Sequence, residues 1–282
     1  MYPANCAGGP VIGWLITGAA LAGLGAYARW VEPSWLDVSE TEIPLRGLDA
    51  AFDGYRIAFL SDLHWGPRKR LAWLERIVDR VNALAPDLIA IGGDIIQFRA
   101  RNIAEGMAIL DRLRAPDGVW CVLGNHDFRR RGIGPLRIRR ELANTAIREL
   151  WNEAVPIRRG DVAFWLAGVG DFWRDVCDVY GALQGVPPDE PRIVLSHNPD
   201  GYLQIGGTRV DLMLSGHTHG GQVRLPFIGP VITRTASGRT LGAGLQQVGE
   251  TQIYTSRGVS HGDLPVRLFC RPELPVILLR KA

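Results

Sequence analysis

The sequence is short of two residue types that often define a protein class. Its four cysteines lie far apart, so they form none of the close pairs of zinc-ribbon or redox motifs and predict no disulfide framework. They are compatible with a reducing compartment, and they are Cys6, Cys121, Cys177 and Cys270. Lysine occurs only at Lys69 and Lys281, and 32 basic residues nearly balance 29 acidic ones. The net charge of +3 argues against dedicated nucleic-acid binding.

Charge is also absent from the amino-terminal segment. Residues 1–28 contain no charged side chain, and residues 11–28 are nearly all apolar or small. This run approaches the ~20 residues that cross a bilayer, and Trp14 and Trp30 lie near its ends, where the membrane interfaces would be. We therefore expect residues 1–30 to be a transmembrane anchor or an uncleaved signal.

Two alternatives stay open for this segment. Ala26 and Ala28 form a small-x-small cleavage site, so a removed secretory signal is the first, although no basic residue precedes the apolar run. A buried helix of a soluble protein is the second. Because Arg29, Arg46 and Arg56 follow the run, a retained anchor would place the large domain in the cytoplasm, at the inner membrane.

The remainder of the chain divides into a linker and a folded domain. Residues 31–53 show little periodicity and favour a linker that passes into an edge strand, and residues 54–282 contain the domain. Apolar runs that end near residues 60, 92 and 123 alternate with helical periodicity over residues 68–84 and 103–114. This order predicts a parallel β-sheet layered with helices. The last apolar runs, IYTS, VRLF and VILLR, are typical of antiparallel strands closing a second sheet.

Carboxylates, an amide and imidazoles follow these apolar runs, at the points where the strands end. Five of the six histidines belong to this group. One such histidine alone is most often a core residue bonded to backbone, whereas five together at strand ends indicate a ligand site, which open α/β sheets form beyond the carboxyl ends of their strands. The group is Asp62, His64, Asp94, Asn125, His126, His197, His217 and His219.

The order and spacing of these residues resemble the calcineurin-like metallophosphoesterases. The matching blocks are Asp-x-His at 62–64, Gly-Asp at 93–94, Gly-Asn-His-Asp at 124–127, the histidine at 197 and Gly-His-x-His at 216–219. Within that superfamily the chain is similar to a membrane-anchored bacterial branch that includes UDP-2,3-diacylglucosamine pyrophosphatases. The resemblance implies an α/β fold: a four-layer sandwich of two mixed β-sheets flanked by helices, behind an N-terminal transmembrane helix.

The resemblance also implies a role for each residue. A first metal ion would be bound by Asp62, His64 and His219, a second by Asn125, His197 and His217, and Asp94 would bridge the two. Such oxygen and nitrogen ligands suit manganese, iron or zinc, and we expect two divalent ions, with manganese favoured. Two ions of this kind activate a hydroxide for in-line attack on phosphorus.

His126 is outside that ligand set, and in similar enzymes it faces the leaving group as a general acid or charge stabiliser. Its neighbour Asp127 is expected to orient the imidazole and keep it protonated, with a turn or helix-capping role as the alternative. Gln222 and His261 are expected to be loop residues.

The sequence thus predicts a metal-dependent hydrolase of phosphodiester or pyrophosphate bonds. The apolar amino terminus and the branch resemblance favour a lipid-linked substrate such as UDP-2,3-diacylglucosamine, in lipid A biosynthesis. A general or cyclic-nucleotide phosphodiesterase is one alternative. The other is a non-catalytic membrane-tethered scaffold, which the complete ligand set disfavours.

Overall fold

The computed structural model describes residues 9–67, 69–97, 102–128, 135–262 and 264–282, with side chains from residue 13 onwards. Residues 1–8 of the expected anchor and Arg68, the expected start of the first domain helix, lie outside the described residues. The helices are α1 (Gly9–Ala26), α2 (Leu71–Ala83), α3 (Ile103–Leu110), α4 (Pro135–Leu142) and α5 (Val179–Ala182). The strands are β1 (Asp37–Leu45), β2 (Arg56–Leu60), β3 (Leu88–Gly92), β4 (Val119–Val122), β5 (Ile147–Glu149), β6 (Glu153–Arg159), β7 (Val162–Gly168), β8 (Arg192–Leu195), β9 (Leu212–Ser215), β10 (Arg224–Leu225), β11 (Gly229–Pro230), β12 (Gly244–Val248), β13 (Thr251–Thr255) and β14 (Glu273–Lys281).

The strands form two mixed sheets and a short hairpin. The first sheet has the order β1-β14-β2-β3-β4-β5, and the second has the order β12-β13-β9-β8-β7-β6. Strands β2 to β5 run parallel, as do β7, β8, β9 and β13, whereas β14 and β2 pair antiparallel. Strands β10 and β11 pair only with each other. The parallel strands therefore deliver their following loops to a common edge of each sheet.

Period-two burial packs the layers against each other. In β2, Ile57 and Phe59 point into the cluster between the two sheets, where Phe59 joins residues such as Phe164 of the second sheet. The alternate residues Ala58 and Leu60 belong to the cluster under α2, α3 and α4. A third cluster packs α5 against the outer face of the second sheet. The predicted α/β sandwich, with two mixed sheets between helical layers, is confirmed.

The carboxyl-terminal strands are arranged differently from the expectation. VILLR lies in β14, which joins the first sheet between β1 and β2 instead of closing the second. VRLF is not a strand, and of it only Leu268 makes a bridge, to Val223. The burial of these segments does not alternate, since IYTS and β14 from Glu273 to Leu279 are buried throughout. The sequence pattern therefore indicated neither which faces are buried nor which sheet the segments would join.

The apolar amino-terminal segment forms α1, an 18-residue helix. A π-helical turn over Tyr27–Val31 and a short turn over Glu32–Ser34 lead from it to β1. Trp14, Leu15 and Ile16 are each at least 65% exposed. Within the described residues, the structure contains no helix that is both long enough and apolar enough to cross a membrane.

Glu273, the first residue of β14, is a buried carboxylate that links both sheets. It accepts hydrogen bonds from Ser39 Oγ (2.7 Å) in β1, from Tyr254 Oη (2.8 Å) in β13, and from the backbone and side chain of Arg257 (3.0 and 3.2 Å). Burial disfavours its charge, but Arg257 and these donors hold the pKa of Glu273 below its ordinary value. Its contribution to stability is therefore present above the ordinary carboxyl pKa and is lost as the pH falls through the lower folded-state pKa.

We expect Glu273→Gln to lower the free energy of unfolding by ~1–3 kcal/mol at neutral pH, because the amide places an N–H group against the Arg257 donors. Urea unfolding followed by circular dichroism measures this loss, and the difference from wild type should shrink at acid pH, where Glu273 itself is protonated. Glu42→Gln is the matched control, since it removes an exposed carboxylate paired with Arg280. A control as destabilised as Glu273→Gln, or a pH-independent difference, would contradict this account.

Candidate metal centre

The predicted site residues lie in the loops that follow five parallel strands. Asp62 and His64 come after β2, Asp94 after β3, Asn125 and His126 after β4, His197 after β8, and His217 and His219 after β9. The structure brings these loops of the two sheets together, so that side chains from both sheets line one cavity. Apart from Asn125 and His126, all of these residues are at least 91% buried.

Several of these residues have a backbone conformation that is unusual for any residue other than glycine. Asp62, His64, Asp94, His217 and His219 all have positive φ, between 45° and 68°. Left-handed backbone costs a side-chain-bearing residue ~1 kcal/mol or more, and such strain clusters at functional sites. Five of the seven predicted metal ligands therefore carry strain that their neighbours must offset.

One group of donor atoms comprises Asp62, His64 and His219. His64 Nε2 and His219 Nε2 are 3.0 Å apart, and Asp62 Oδ1 is 3.8 Å from the first and 3.4 Å from the second. These are the spacings expected of atoms that surround a single ion. Ser61 Oγ, at 2.6 Å, and the His217 N–H, at 3.1 Å, donate to Asp62 Oδ2 and fix the carboxylate.

A second group is centred on Asp94. Its Oδ2 lies 3.4 Å from His197 Nε2, 3.6 Å from His64 Nε2 and 4.0 Å from His126 Nε2. His197 Nε2 is also 3.2 Å from Asn125 Oδ1. Because Asp94 approaches nitrogen atoms of both groups, it is the side chain that is placed to contact two ions at once.

The protons on the imidazoles show why these groups need a cation. His219 Nδ1 donates to Ser260 O and His64 Nδ1 faces Gln97 Oε1, at 3.3 and 2.9 Å, which leaves both Nε2 atoms as lone-pair atoms facing each other. Burial lowers the pKa of His64 and His219 well below the ordinary value, so neither ring gains a second proton. Two facing lone pairs at 3.0 Å repel unless a positive charge lies between them. The donor set therefore fits a metal ion.

The surroundings of His197 also favour positive charge. Its Nδ1 donates to Gly92 O at 2.7 Å, so Nε2 faces the oxygens of Asp94 and Asn125. Burial disfavours a charged ring, but Asp94 and Asp62 raise the pKa of His197 to about 10.

Among the predicted ligands, His217 has the weakest geometric support. Its ring lies 5.2 Å from the His197 ring and 4.3 Å from the Trp173 ring, between centroids. Its Nε2 donates to Arg234 O at 3.2 Å, which leaves Nδ1 as the lone-pair atom. Burial lowers the pKa of His217 to about 4, so the ring is a neutral ligand candidate at neutral pH.

The structure does not pair Asp127 with the His126 ring as expected. The fully buried Asp127 carboxylate accepts three backbone N–H groups, from Ile95 at 3.2 Å, Ile96 at 3.0 Å and Gly124 at 2.9 Å. His126 Nδ1 is buried with no hydrogen-bond partner among the described residues. Asp127 therefore holds the loops after β3 and β4 together, as in the alternative turn role.

Glycine is required where these loops touch. A Cβ atom at Gly124 would overlap the Asp94 carboxylate, and one at Gly216 would overlap Ser61 and Asp62. The backbone at these two positions can come this close to the donor cluster only because glycine has no side chain.

Sequence reasoning missed the residues that support the cluster from behind. Lys69 Nζ donates to His64 O at 3.1 Å and Ser260 Oγ at 2.8 Å, and burial beside Arg267 lowers its pKa to about 7. Arg267 is fully buried and donates to the carbonyls of residues such as Gly258 (3.2 Å) and Cys270 (3.0 Å). No local pattern marks these residues, since their partners are distant in sequence.

The donor atoms open into a cavity of about 390 Å³. Its lining includes donor residues such as His64, Asp94 and His219 together with an apolar wall. The apolar wall is formed by Trp173, Val223, Val231, Ile232 and Leu264. One missed residue, Trp173, could have been found from the sequence. The segment GDFW follows β7 in the same way as GGD, which contains the predicted ligand Asp94, comes at the end of β3. Gln222 also lines the cavity, but its amide is bound to Leu264 O and Val266 O at 2.7 and 3.0 Å, as a loop residue.

A family comparison identifies this arrangement. The model of calcineurin-like phosphoesterases matches residues 55–221, which contain every residue of the donor cluster. The chain belongs to the calcineurin-like phosphoesterase family. It is therefore a metallophosphoesterase, a hydrolase of phosphate esters, and the family together with the donor groups indicates a dinuclear divalent-metal centre.

Characterised and uncharacterised relatives match almost the whole chain. An uncharacterized metallophosphoesterase of Bacillus subtilis, YkuE, is 33% identical over 96% of this chain and 95% of its own. Phosphodiesterase YaeI of Escherichia coli is 34% identical over 93% of this chain and 94% of its own. UDP-2,3-diacylglucosamine pyrophosphatase LpxG of Chlamydia muridarum is 27% identical over 95% of this chain and 93% of its own.

We expect Asp94→Asn to abolish stoichiometric binding of two divalent ions, because the amide replaces the carboxylate that approaches both donor groups. Mass spectrometry of metals in the purified chain measures the content, and circular dichroism checks that the fold is kept. Asp79→Asn is the control and should keep both ions, because Asp79 lies on α2 in an exposed ion pair with Arg112. Full metal content in Asp94→Asn would show that Asp94 does not bridge.

Proposed function

We propose that the chain hydrolyses a phosphodiester or pyrophosphate bond in a lipid-linked substrate of the UDP-2,3-diacylglucosamine type, with manganese in its dinuclear centre. The observation that carries the substrate class is the cavity, whose lining combines the metal-binding donors with an apolar wall. A headgroup phosphate fits the donors, and an acyl chain or sugar-lipid body fits the apolar wall. The similarity to LpxG supports the same class.

In this proposal, Asp62, His64 and His219 would hold one ion, Asn125, His197 and His217 would hold the other, and Asp94 is placed to serve both. Such ions would supply a water nucleophile of lowered pKa and would neutralise charge on the phosphoryl oxygens. Three ligand imidazoles are fixed by oxygen atoms that face their Nδ1 atoms. The oxygens of Gln97, Ser260 and Gly92 face His64, His219 and His197, respectively. Orientation of this kind raises ligand basicity and keeps the donors in place between turnovers.

His126 is proposed as the group that protonates or stabilises the leaving oxygen. Its Nε2 lies 4.0 Å from Asp94 Oδ2, and its backbone N–H donates to Asp94 Oδ1 at 2.7 Å. The side chain is thus held beside the donor cluster, and it lines the cavity in which substrate would bind.

We expect His126→Ala to keep both ions and to lower turnover by ~10²–10⁴-fold, the usual contribution of a general acid. Metal content and steady-state hydrolysis of bis(p-nitrophenyl) phosphate are measured on the same sample. His261→Ala is the matched histidine control, since that ring bonds to Gly262 O in its own loop, at 3.1 Å, and activity should persist. Loss of an ion in His126→Ala would make His126 a ligand instead.

The substrate class is tested by incubating the purified chain with UDP-2,3-diacylglucosamine and manganese. We expect release of UMP, detected by chromatography, because hydrolysis of the pyrophosphate bond leaves the lipid with one phosphate. Asp94→Asn is the control for contaminating activity. Hydrolysis of bis(p-nitrophenyl) phosphate without UMP release would reject the lipid-linked substrate and retain the phosphodiesterase.

The second candidate is a general or cyclic-nucleotide phosphodiesterase, which the similarity to phosphodiesterase YaeI favours. Its active site would use the same donors, and the apolar wall would then receive a nucleobase or an aryl group. Parallel assays with a cyclic nucleotide separate the two candidates.

We further propose that the amino-terminal segment attaches the domain to the inner membrane, on its cytoplasmic side. The support is the apolar composition of α1, whose side chains Trp14, Leu15, Ile16 and Leu21 are all at least 65% exposed. Apolar side chains that are exposed along a helix favour lipid as their surroundings.

A further inference from the structure

Two segments that line the cavity also carry large exposed apolar side chains. Phe227, at the tip of the β10–β11 hairpin, is fully exposed, and Ile228, Ile232 and Leu264 are 54%, 64% and 59% exposed. A group of exposed apolar residues indicates a surface that binds a protein, a membrane or a ligand. We call this group the apolar rim and define it as Leu225, Phe227, Ile228, Ile232, Leu264 and Phe269.

Hydrogen bonds hold the two segments of the apolar rim side by side. Leu268 O accepts from the Arg224 N–H, and the Leu268 N–H donates to Gln222 O, both at 2.9 Å. The Gln222 side chain donates to Leu264 O at 2.7 Å. The hairpin and the loop over residues 264–269 therefore lie side by side, and Ile232 and Leu264 of the apolar rim also line the cavity.

The amino-terminal segment leaves the domain at this same surface. The Arg267 N–H donates to Ala28 O at 2.9 Å, at the carboxyl end of the helical segment. The buried Glu32 carboxylate accepts from the Phe269 N–H at 3.0 Å and also from the Cys270 N–H. Phe269 of the apolar rim is thus tied directly to the turn that follows α1.

The hairpin segment of the apolar rim is basic. Residues 222–234 include Arg224 and Arg234 and no acidic residue. Arg29 follows α1, and the Arg271 guanidinium lies over the Trp35 ring at 3.5 Å. Basic side chains bordering an apolar surface match the charge of a bilayer that contains anionic lipids.

We propose that the apolar rim is a membrane-binding surface, which seats the mouth of the catalytic cavity on the bilayer to which α1 attaches. The proposal rests on the proposed membrane attachment. Phe227 and Ile228 enter the bilayer below the headgroups, and the bordering arginines contact lipid phosphates. A phosphoester headgroup then reaches the donor cluster from the membrane surface, while its apolar part follows the wall formed by Ile232 and Leu264.

The surface is tested directly with an environment-sensitive fluorophore. The full-length chain carries Cys6→Ser, Cys177→Ser and Phe227→Cys, is labelled with nitrobenzoxadiazole, and is reconstituted into vesicles of phosphatidylethanolamine and phosphatidylglycerol. Cys121 and Cys270 are buried and do not compete for the label. We expect a blue shift and quenching by lipid-borne nitroxides. The same label on Leu136→Cys, in α4 beside β5 at the opposite edge of the first sheet, should stay in a water-like environment and unquenched.

Three results of the labelling experiment would overturn the proposal. The label at position 227 stays water-like on vesicles, or it shifts without nitroxide quenching because a second copy of the chain covers it, or the chain fails to join the vesicles.

A charge-introducing variant tests the consequence for catalysis. In Phe227→Asp combined with Ile228→Asp, hydrolysis of soluble bis(p-nitrophenyl) phosphate should stay within about twofold of wild type. Hydrolysis of an acylated p-nitrophenyl phosphodiester embedded in the vesicles should fall by about tenfold or more, because two buried apolar side chains are lost from the interface. Leu136→Asp should change neither rate, and equal rates on both substrates in the rim variant would contradict the proposal. A wild-type chain inactive on both substrates would instead reject the proposed function, while the labelling result still decides the surface.

Discussion

The site depends on one electrostatic constraint, which is that acceptor atoms face each other across a buried space with no proton between them. His64 Nε2 and His219 Nε2 meet at 3.0 Å, and each ring gives its proton to the opposite side. Burial prevents either ring from taking a second proton, because the low-dielectric surroundings disfavour an imidazolium. Positive charge must then come from outside the protein, and oxygen and nitrogen donors in this arrangement select divalent ions.

Holding that arrangement requires backbone conformations that the chain would otherwise avoid. Asp62, His64 and Asp94 have left-handed backbone at the ends of β2 and β3, and the same holds for His217 and His219 after β9. The offset comes from contacts that do not touch substrate: Asp127 joins two loops through three backbone N–H groups, and Ser260 Oγ donates to the carbonyls of Asp62 and Leu63. The strain is thus concentrated at the ligands, and the stabilising contacts lie one residue layer behind them.

Local sequence patterns were sufficient for the parts of the molecule in which a short segment decides its own structure. Apolar runs ending in Asp62, Asp94 or His197 predicted strands with polar loops at one edge, and parallel pairing then brought the loops together. The patterns failed where partners are distant in sequence. Nothing in VILLR indicates that β14 would pair with β1 and β2, and nothing near Asp127 indicates that its carboxylate would bind the Ile95 and Ile96 N–H groups instead of His126. Arg267 escaped notice for the same reason.

The loop that follows β13 joins the metal-binding residues to the surface of the domain. The Arg267 side chain donates to backbone carbonyls beside the donor cluster, and its backbone N–H donates to Ala28 O. Cys270 Sγ lies 3.4 Å from His219 O, and the Cys270 N–H donates to Glu32. The buried side chains of one loop therefore contact a metal-ligand loop, and its backbone contacts the turn after α1. Because protein interiors are close-packed, a shift of that turn relative to the domain cannot be absorbed without moving the backbone near His219. The position of the amino-terminal helix and the geometry of the first donor group are consequently fixed by the same contacts, and a surface seated on the membrane at this point would hold the donor cluster at a constant distance from the lipid headgroups.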